Sequence, residues 1–180
     1  MKRLLLLTAS ICLLSAAVIA QNKGGFSGTW TLDVGKSTLV ERAPIESQVL
    51  TVTQTDKDIK VETATKRKPL PPDNGDNMGR LAGGGVNPDY AFTYTLDGKE
   101  VLLDQETKEG KIPVKLSAKS TPGKLYLFTK RTVPARELIP ALISIRDTWE
   151  LSPDGRTLTI SRRQFTPFGT DNSTLVFLKK

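Results

Sequence analysis

The chain has 180 residues, a net charge of +7 at neutral pH and no histidine. Its one cysteine, Cys12, lies in an apolar run near the N-terminus, so beyond it the chain has neither thiol nor imidazole. That excludes disulfides, Ser/His/Asp and Cys/His nucleophilic catalysis, and zinc held by cysteine or histidine.

The N-terminus reads as a cleavable secretory leader over residues 1–20. Lys2 and Arg3 give a positive start, Leu4–Leu14 an apolar core of 11 residues, and Ser15–Ala20 a small-residue region before a cut at Gln21. Leu4–Ala20 is 17 residues long, short of the roughly 20 that a membrane-spanning helix needs. Ile11 precedes Cys12 where a lipid-attachment signal would carry a small residue. The expectation is a mature chain 21–180, periplasmic or secreted, with no transmembrane segment. Without Lys2 and Arg3 the charge falls from +7 to +5. The basic residues form small clusters such as Lys66-Arg67-Lys68 and Arg162-Arg163, which suit solvated strand faces or an anionic partner. No basic helix or known binding motif suggests nucleic acid.

Beyond the leader, helical periodicity is scarce and short alternating runs recur. Thr29–Asp33 reads as the first strand. Gln48–Thr55 and Ile59–Thr65 read as a hairpin, with Leu50 and Val52 on one face and Ile59, Val61 and Thr63 sharing another. Tyr90–Leu96 alternates clearly: Tyr90, Phe92, Tyr94 and Leu96 share a face. Asp97-Gly98 then signals a tight turn into Glu100–Asp104. Ile112–Ala118 and Leu125–Arg131 flank Pro122-Gly123, Arg146–Leu151 and Thr157–Phe165 flank Pro153-Asp154-Gly155, and Ser173–Leu178 closes the series. Two segments break the rhythm. The stretch 66–89 is rich in proline and glycine and reads as a mobile surface loop, over a pocket mouth or merely exposed. Residues 135–139 permit one short helix, which Pro140 opposes unless it sits in the first turn.

Motifs with chemistry are few. Gly35-Lys36-Ser37-Thr38 lacks the glycine five residues earlier that a phosphate loop needs, because Trp30 is there. Asp73-Asn74-Gly75-Asp76-Asn77 offers oxygen ligands without the spacing of a calcium loop. Asp147 and Glu150 are three apart on a strand and so face opposite ways. No carboxylate pair stands out for acid–base work. Neither a metal nor another cofactor is expected, and the chain is read as no enzyme. The aromatics remain. On strand faces they form core, or line an apolar cavity in which arginine or tyrosine fixes a polar end of a ligand.

Gly28-Thr29-Trp30 at the start of an antiparallel meander resembles the lipocalins and the wider calycin group, which includes fatty-acid-binding proteins. Gly28-Thr29-Trp30-Thr31-Leu32-Asp33 with Lys36-Ser37 also looks like uncharacterised exported bacterial lipocalin-like proteins. The hairpins Tyr94–Lys99 and Trp149–Gly155 fit the resemblance. It implies a closed up-and-down barrel around a small apolar ligand, with Trp30 plugging the base beneath a basic side chain from a late strand, supplied by Arg162 or Arg163. Three features depart from it. Val34–Ser47 is short for the helix pair of fatty-acid-binding proteins. Their late Arg-x-Tyr appears only as Arg163-Gln164-Phe165. Lipocalin disulfides are missing.

The expected fold is therefore all-β: an antiparallel lipocalin-like barrel of about eight to ten strands over 21–180, with a two-sheet sandwich as the alternative. The expected function is non-catalytic binding of a small hydrophobic or amphipathic ligand. Lumen candidates are Trp30, Phe92, Tyr94, Tyr126, Phe128, Trp149, Arg162 and Arg163. The alternative is a cell-envelope module with a filled core that binds an anionic partner through its basic surface. Ligand identity and oligomeric state are not legible.

Overall fold

A computed structural model of the chain describes residues 25–40, 44–68, 89–107, 110–133, 141–167 and 169–180. The leader, most of the 66–89 loop, the Asp73–Asn77 stretch and the helix expected at 135–139 lie outside them.

The described residues form an antiparallel up-and-down barrel of ten strands. These are β1 (Gly28–Leu32), β2 (Ile45–Gln54), β3 (Asp58–Arg67), β4 (Ala91–Thr95), β5 (Val101–Thr107), β6 (Gly110–Thr121), β7 (Lys124–Val133), β8 (Ala141–Leu151), β9 (Thr157–Thr166) and β10 (Gly169–Lys179). The Gly35-Lys36 segment is a single 3-10 turn, Val34–Lys36, capped by the Asp33 carboxylate. The sheet order β4-β3-β2-β1-β10-β9-β8-β7-β6-β5 joins the first strand to the last, which wraps the sheet round. Side chains alternate as the sequence implied: Leu50, Val52, Ile59, Val61, Phe92 and Tyr94 are buried, whereas Thr51, Lys60 and Thr93 are exposed.

One expected hairpin does not form. β4 and β5 are consecutive but stand at opposite edges of the sheet, with no ladder between them. Gly98 takes the positive φ (80°) that its place in the turn signal foretold. The connection 96–100 leads into β5 beside β6, and within it Asp97 bridges Lys119 near the end of β6. Along the rest of this seam β4 and β5 share no ladder. The Tyr94 hydroxyl crosses the interior to Thr129 Oγ1 on β7, at 2.9 Å.

The up-and-down order gives the barrel two unlike ends. Connections 55–57, 96–100, 122–123 and 152–156 gather at one end, the floor, and are short. Strands β1, β3, β5, β7 and β9 end, and β2, β4, β6, β8 and β10 begin, at the other end, the mouth. Large apolar side chains fill the floor: Trp30, Trp149, Phe177, Leu125, Leu158 and Ile160 are all buried. Phe26 packs edge-on against Trp149 at 5.9 Å. Trp30 satisfies its indole N–H by donating to the Phe26 carbonyl at 2.9 Å. Truncating such a ring removes about 3–5 kcal/mol of burial and packing, a large share of the stability of a domain this size.

Trp30 does plug the base beneath a cation, but the cation is neither Arg162 nor Arg163. Lys179 on β10 places its Nζ 5.2 Å from the Trp30 ring centroid, and β1 pairs Trp30 directly with Lys179. Gly28 makes room for it. A Cβ there would lie 2.9 Å from Lys179 Cε, and the Gly28 φ of 141° belongs to a region that favours glycine. The first and third residues of Gly28-Thr29-Trp30 are thus linked through one lysine.

Candidate functional site: a polar lumen at the mouth

Toward the mouth the inward faces change character. Each strand keeps its period of two, but the inward residues become Gln48 on β2, Thr63 on β3, Thr129 and Arg131 on β7, and Asp147 on β8, all buried. Arg162 on β9 joins them, and Tyr90 precedes β4. These positions are the continuation of the apolar stripes. Leu125 and Leu127 are followed on the same face by Thr129 and Arg131, and Trp149 is preceded by Asp147.

The central element is an ion pair between buried Asp147 and half-buried Arg162. Asp147 and Arg162 are directly paired across β8 and β9. The guanidinium grips the carboxylate with two bonds, Nε to Oδ1 at 2.8 Å and Nη2 to Oδ2 at 2.7 Å. Burial works against the charge on Arg162, but Asp147 outweighs it and Tyr90 adds a side-chain hydrogen bond, so its pKa is raised. Burial raises the pKa values of the Tyr90 and Tyr94 phenols, which therefore stay neutral donors through the physiological range. Gln48 donates to Thr65 Oγ1 at 2.8 Å. Arg67, at the mouth end of β3, has its pKa lowered by burial and by the charge of Arg162.

Arg131 is held differently. Its side chain is 8 % exposed, and its Nε has no hydrogen-bond partner among the described residues. Its cross-strand neighbours are Val114 and Ile143, neither of which offers a carboxylate. Burial, reinforced by the charge of Arg162, lowers its pKa from 12.5 to about 10. The folded state thus holds this cation at a cost on the order of 3 kcal/mol. The sign follows from the lowered pKa: the penalty is present at neutral pH and eases only as pH rises through about 10. Chemically the set offers a cationic guanidinium and neutral hydroxyl donors. No group of three or more His, Cys, Asp or Glu able to hold a metal occurs among the described residues.

The residues expected in the lumen divide. Trp30, Phe92, Tyr94 and Trp149 are buried and inward, with Trp30 and Trp149 in the packed floor and Tyr94 at the edge of the polar region. Arg162 faces inward, engaged by Asp147. Tyr126, Phe128 and Arg163 belong to the outer wall instead. Strand β7 has two apolar sets in opposite phase, and the structure buries Leu125 and Leu127, which leaves Tyr126 41 % exposed. Neighbours in a strand cannot share a face, so inward Arg162 sends Arg163 out. On that outer wall Arg146 lies 5.8 Å from the Phe128 ring and 5.4 Å from the Phe165 ring, and Arg163 lies 4.8 Å from Phe165.

Sequence reasoning missed Arg131, Asp147, Thr129 and Gln48. For Arg131 a signal existed: it falls in phase with Leu125 and Leu127 on a strand whose other cations are out of phase. Asp147 likewise falls in phase with Trp149. Its carboxylate, 7 % exposed, is bound to Arg162 and not to a second carboxylate.

No helix among the described residues is long and apolar enough to cross a membrane. The sequence matches no protein-family model, and a search of curated proteins also finds no match. Among solved structures the chain is similar to zebrafish ileal bile acid-binding protein complexed with cholic acid. The identity is 18 % and the TM-score 0.49, over 86 % of this chain and 98 % of that one.

Proposed function

We propose that this chain is an exported, non-catalytic binding protein that takes a small apolar or amphipathic molecule into the mouth half of its lumen. One observation supports this reading above the others: the interior passes from a close-packed aromatic floor to a wall of buried polar groups toward the other end of the barrel. A protein that needed only stability would continue the apolar stripes, because buried polar and charged groups cost more than they return unless fully paired. Mixed lining of this kind suits a ligand with an apolar body and a polar end. The leader read from the sequence at 1–20 supports a site of action in the periplasm or outside the cell.

The test is a fluorescence titration of the purified chain with the neutral dye N-phenyl-1-naphthylamine. Saturable, one-to-one enhancement of the dye is the expected result. A chain that gives no enhancement at any dye concentration below its solubility limit does not carry ligands in this way.

A second reading draws on the outer wall, where Arg146, Arg163, Phe128 and Phe165 interleave in contact. In that case the barrel is an envelope module that docks on an anionic partner. Its mark is binding to envelope fractions that weakens steeply as salt rises; binding unchanged at high salt counts against it.

A further inference from the structure

The outer wall of β6–β10 carries chemistry that the packing of the barrel does not use. Strand pairing aligns Phe128, Arg146, Arg163 and Asn172 in one outward row. The next row toward the floor is Tyr126, Thr148, Ser161 and Thr174, each with a hydroxyl. Lys119 flanks that row on β6, and Thr38 extends it beyond β10 through its bridge to Thr174. Arg146 and Arg163 stand directly opposite each other, where like charges repel. No carboxylate among the described residues answers either one, whereas Lys60, Lys66, Lys115 and Lys124 on the same exterior each have one. A shared ring holds the two arginines instead: their guanidinium carbons lie 5.4 and 4.8 Å from the Phe165 centroid. Stacking uses the flat of a guanidinium and leaves the donors on its edge free. The hydroxyls of Thr148, Ser161 and Thr174 also enter no hydrogen bond among the described residues.

Two open troughs run between these side chains. One, of about 480 Å³, lies over β8–β10 among Arg146, Arg163, Ser161 and Thr174. The other, of about 360 Å³, lies over β6–β8 among Lys119, Tyr126 and Phe128. Arg146 and Thr148 line both, so the troughs meet and run on across the strands.

We infer that this face binds an acidic polysaccharide, laid across the strands with a carboxylate on the Arg146–Arg163 pair and a ring against Tyr126. A trough that crosses successive strands, about 4.8 Å apart, suits an elongated chain better than a single ion. Hydroxyl side chains both donate and accept, as the hydroxyls of a sugar do. Tyr126, 41 % exposed, offers a flat apolar surface to a ring. A lipid surface calls for apolar side chains to bury, and the other large exposed ones among the described residues, Val34, Leu102, Leu142 and Leu178, lie outside these two rows. This binding mode rests on the outer-wall reading proposed above and gives it a partner; it does not depend on a guest in the lumen.

Four probes separate the claims. Polygalacturonate has a carboxylate on each hydroxylated ring, its methyl ester has the rings without the charge, and poly-L-glutamate has the charge without the rings. The fourth is a phosphatidylglycerol vesicle. In isothermal titration the native chain is expected to bind polygalacturonate at least about tenfold tighter than any of the others, the range of charge-assisted bonds joined by hydroxyl contacts. Arg146→Gln/Arg163→Gln should weaken that binding at least about tenfold. Lys57→Gln/Lys68→Gln, which removes the same charge from exposed sites off this face, should change it less than about twofold, because distant surface charges are screened. Failure of all four probes to bind defeats the outer-wall reading itself. Poly-L-glutamate or the vesicle bound as tightly as polygalacturonate leaves that reading standing and overturns the polysaccharide, and so does the methyl ester bound as tightly. A preference that survives Arg146→Gln/Arg163→Gln overturns the placement. Should that variant not fold, amide shifts of the native chain decide. Polygalacturonate is expected to perturb Arg146, Ser161 and Thr174, and perturbations confined to other residues overturn the inference.

Discussion

Asp147 and Arg162 show how one pair of side chains can cost stability singly and be tolerated together. Each sits at an inward position that a leucine would fill with less penalty, and each is acceptable because the other supplies two short charge-assisted bonds. Asp147→Asn keeps the shape but leaves Arg162 charged and without a carboxylate. It is expected to destabilise the chain by about 3 kcal/mol in urea unfolding, and the double substitution Asp147→Asn/Arg162→Met is expected to recover most of that loss. A double variant as unstable as the single one would show that the pair is not coupled. The residue scale is also where the sequence was least legible. Arg162 and Arg163 are adjacent, and nothing local says which turns inward. The answer comes from the register of β9 against β8, which puts Arg162 opposite Asp147. On β7 the pairs Leu125/Leu127 and Tyr126/Phe128 are both apolar enough to be core. The choice between them depends on pairing Leu125 with buried Trp149 across β8, a long-range fact that alternation alone does not contain.

At the scale of elements, strand positions were far more legible, because alternation and turn residues are local. The turns at Pro122-Gly123 and Pro153-Asp154-Gly155 join paired strands as expected. Asp97-Gly98 carries the same signal and joins strands that do not pair, so turn chemistry fixes a reversal of the chain but not the partner of the strand that follows. The seam has a measurable consequence. Tyr90 and Leu96 make their backbone bonds toward β3, so the alternate N–H groups of Ala91, Thr93 and Thr95 face the gap. In hydrogen–deuterium exchange these three amides are expected to exchange faster than those of Phe92 and Tyr94, and much faster than amides within the β7–β8 ladder. Uniform protection across β4 would mean that β4 and β5 are bridged in solution and that the barrel is fully closed.

Over the whole molecule, closure of β1 on β10 and the unlike ends define what the barrel can do. The floor joins Gly28, Trp30 and Lys179 into a plug and is sealed by aromatic packing, so any guest must be sought among the polar groups of the other half. Alternation and length argued for a barrel, and the Gly28-Thr29-Trp30 resemblance pointed to the plugged base. The polar half was hidden because its members are scattered from Gln48 to Arg162 and converge only when the sheet wraps. The most direct test is therefore spatial. Amide and side-chain chemical shifts of the isotope-labelled chain should be followed while N-phenyl-1-naphthylamine is added. Perturbations are expected to concentrate on Gln48, Tyr94, Thr129, Arg131 and Ile143, leaving Trp30 and Leu158 still. Shifts gathered instead on Arg146, Phe128 and Phe165 would place binding on the outer wall and contradict a ligand held in the lumen.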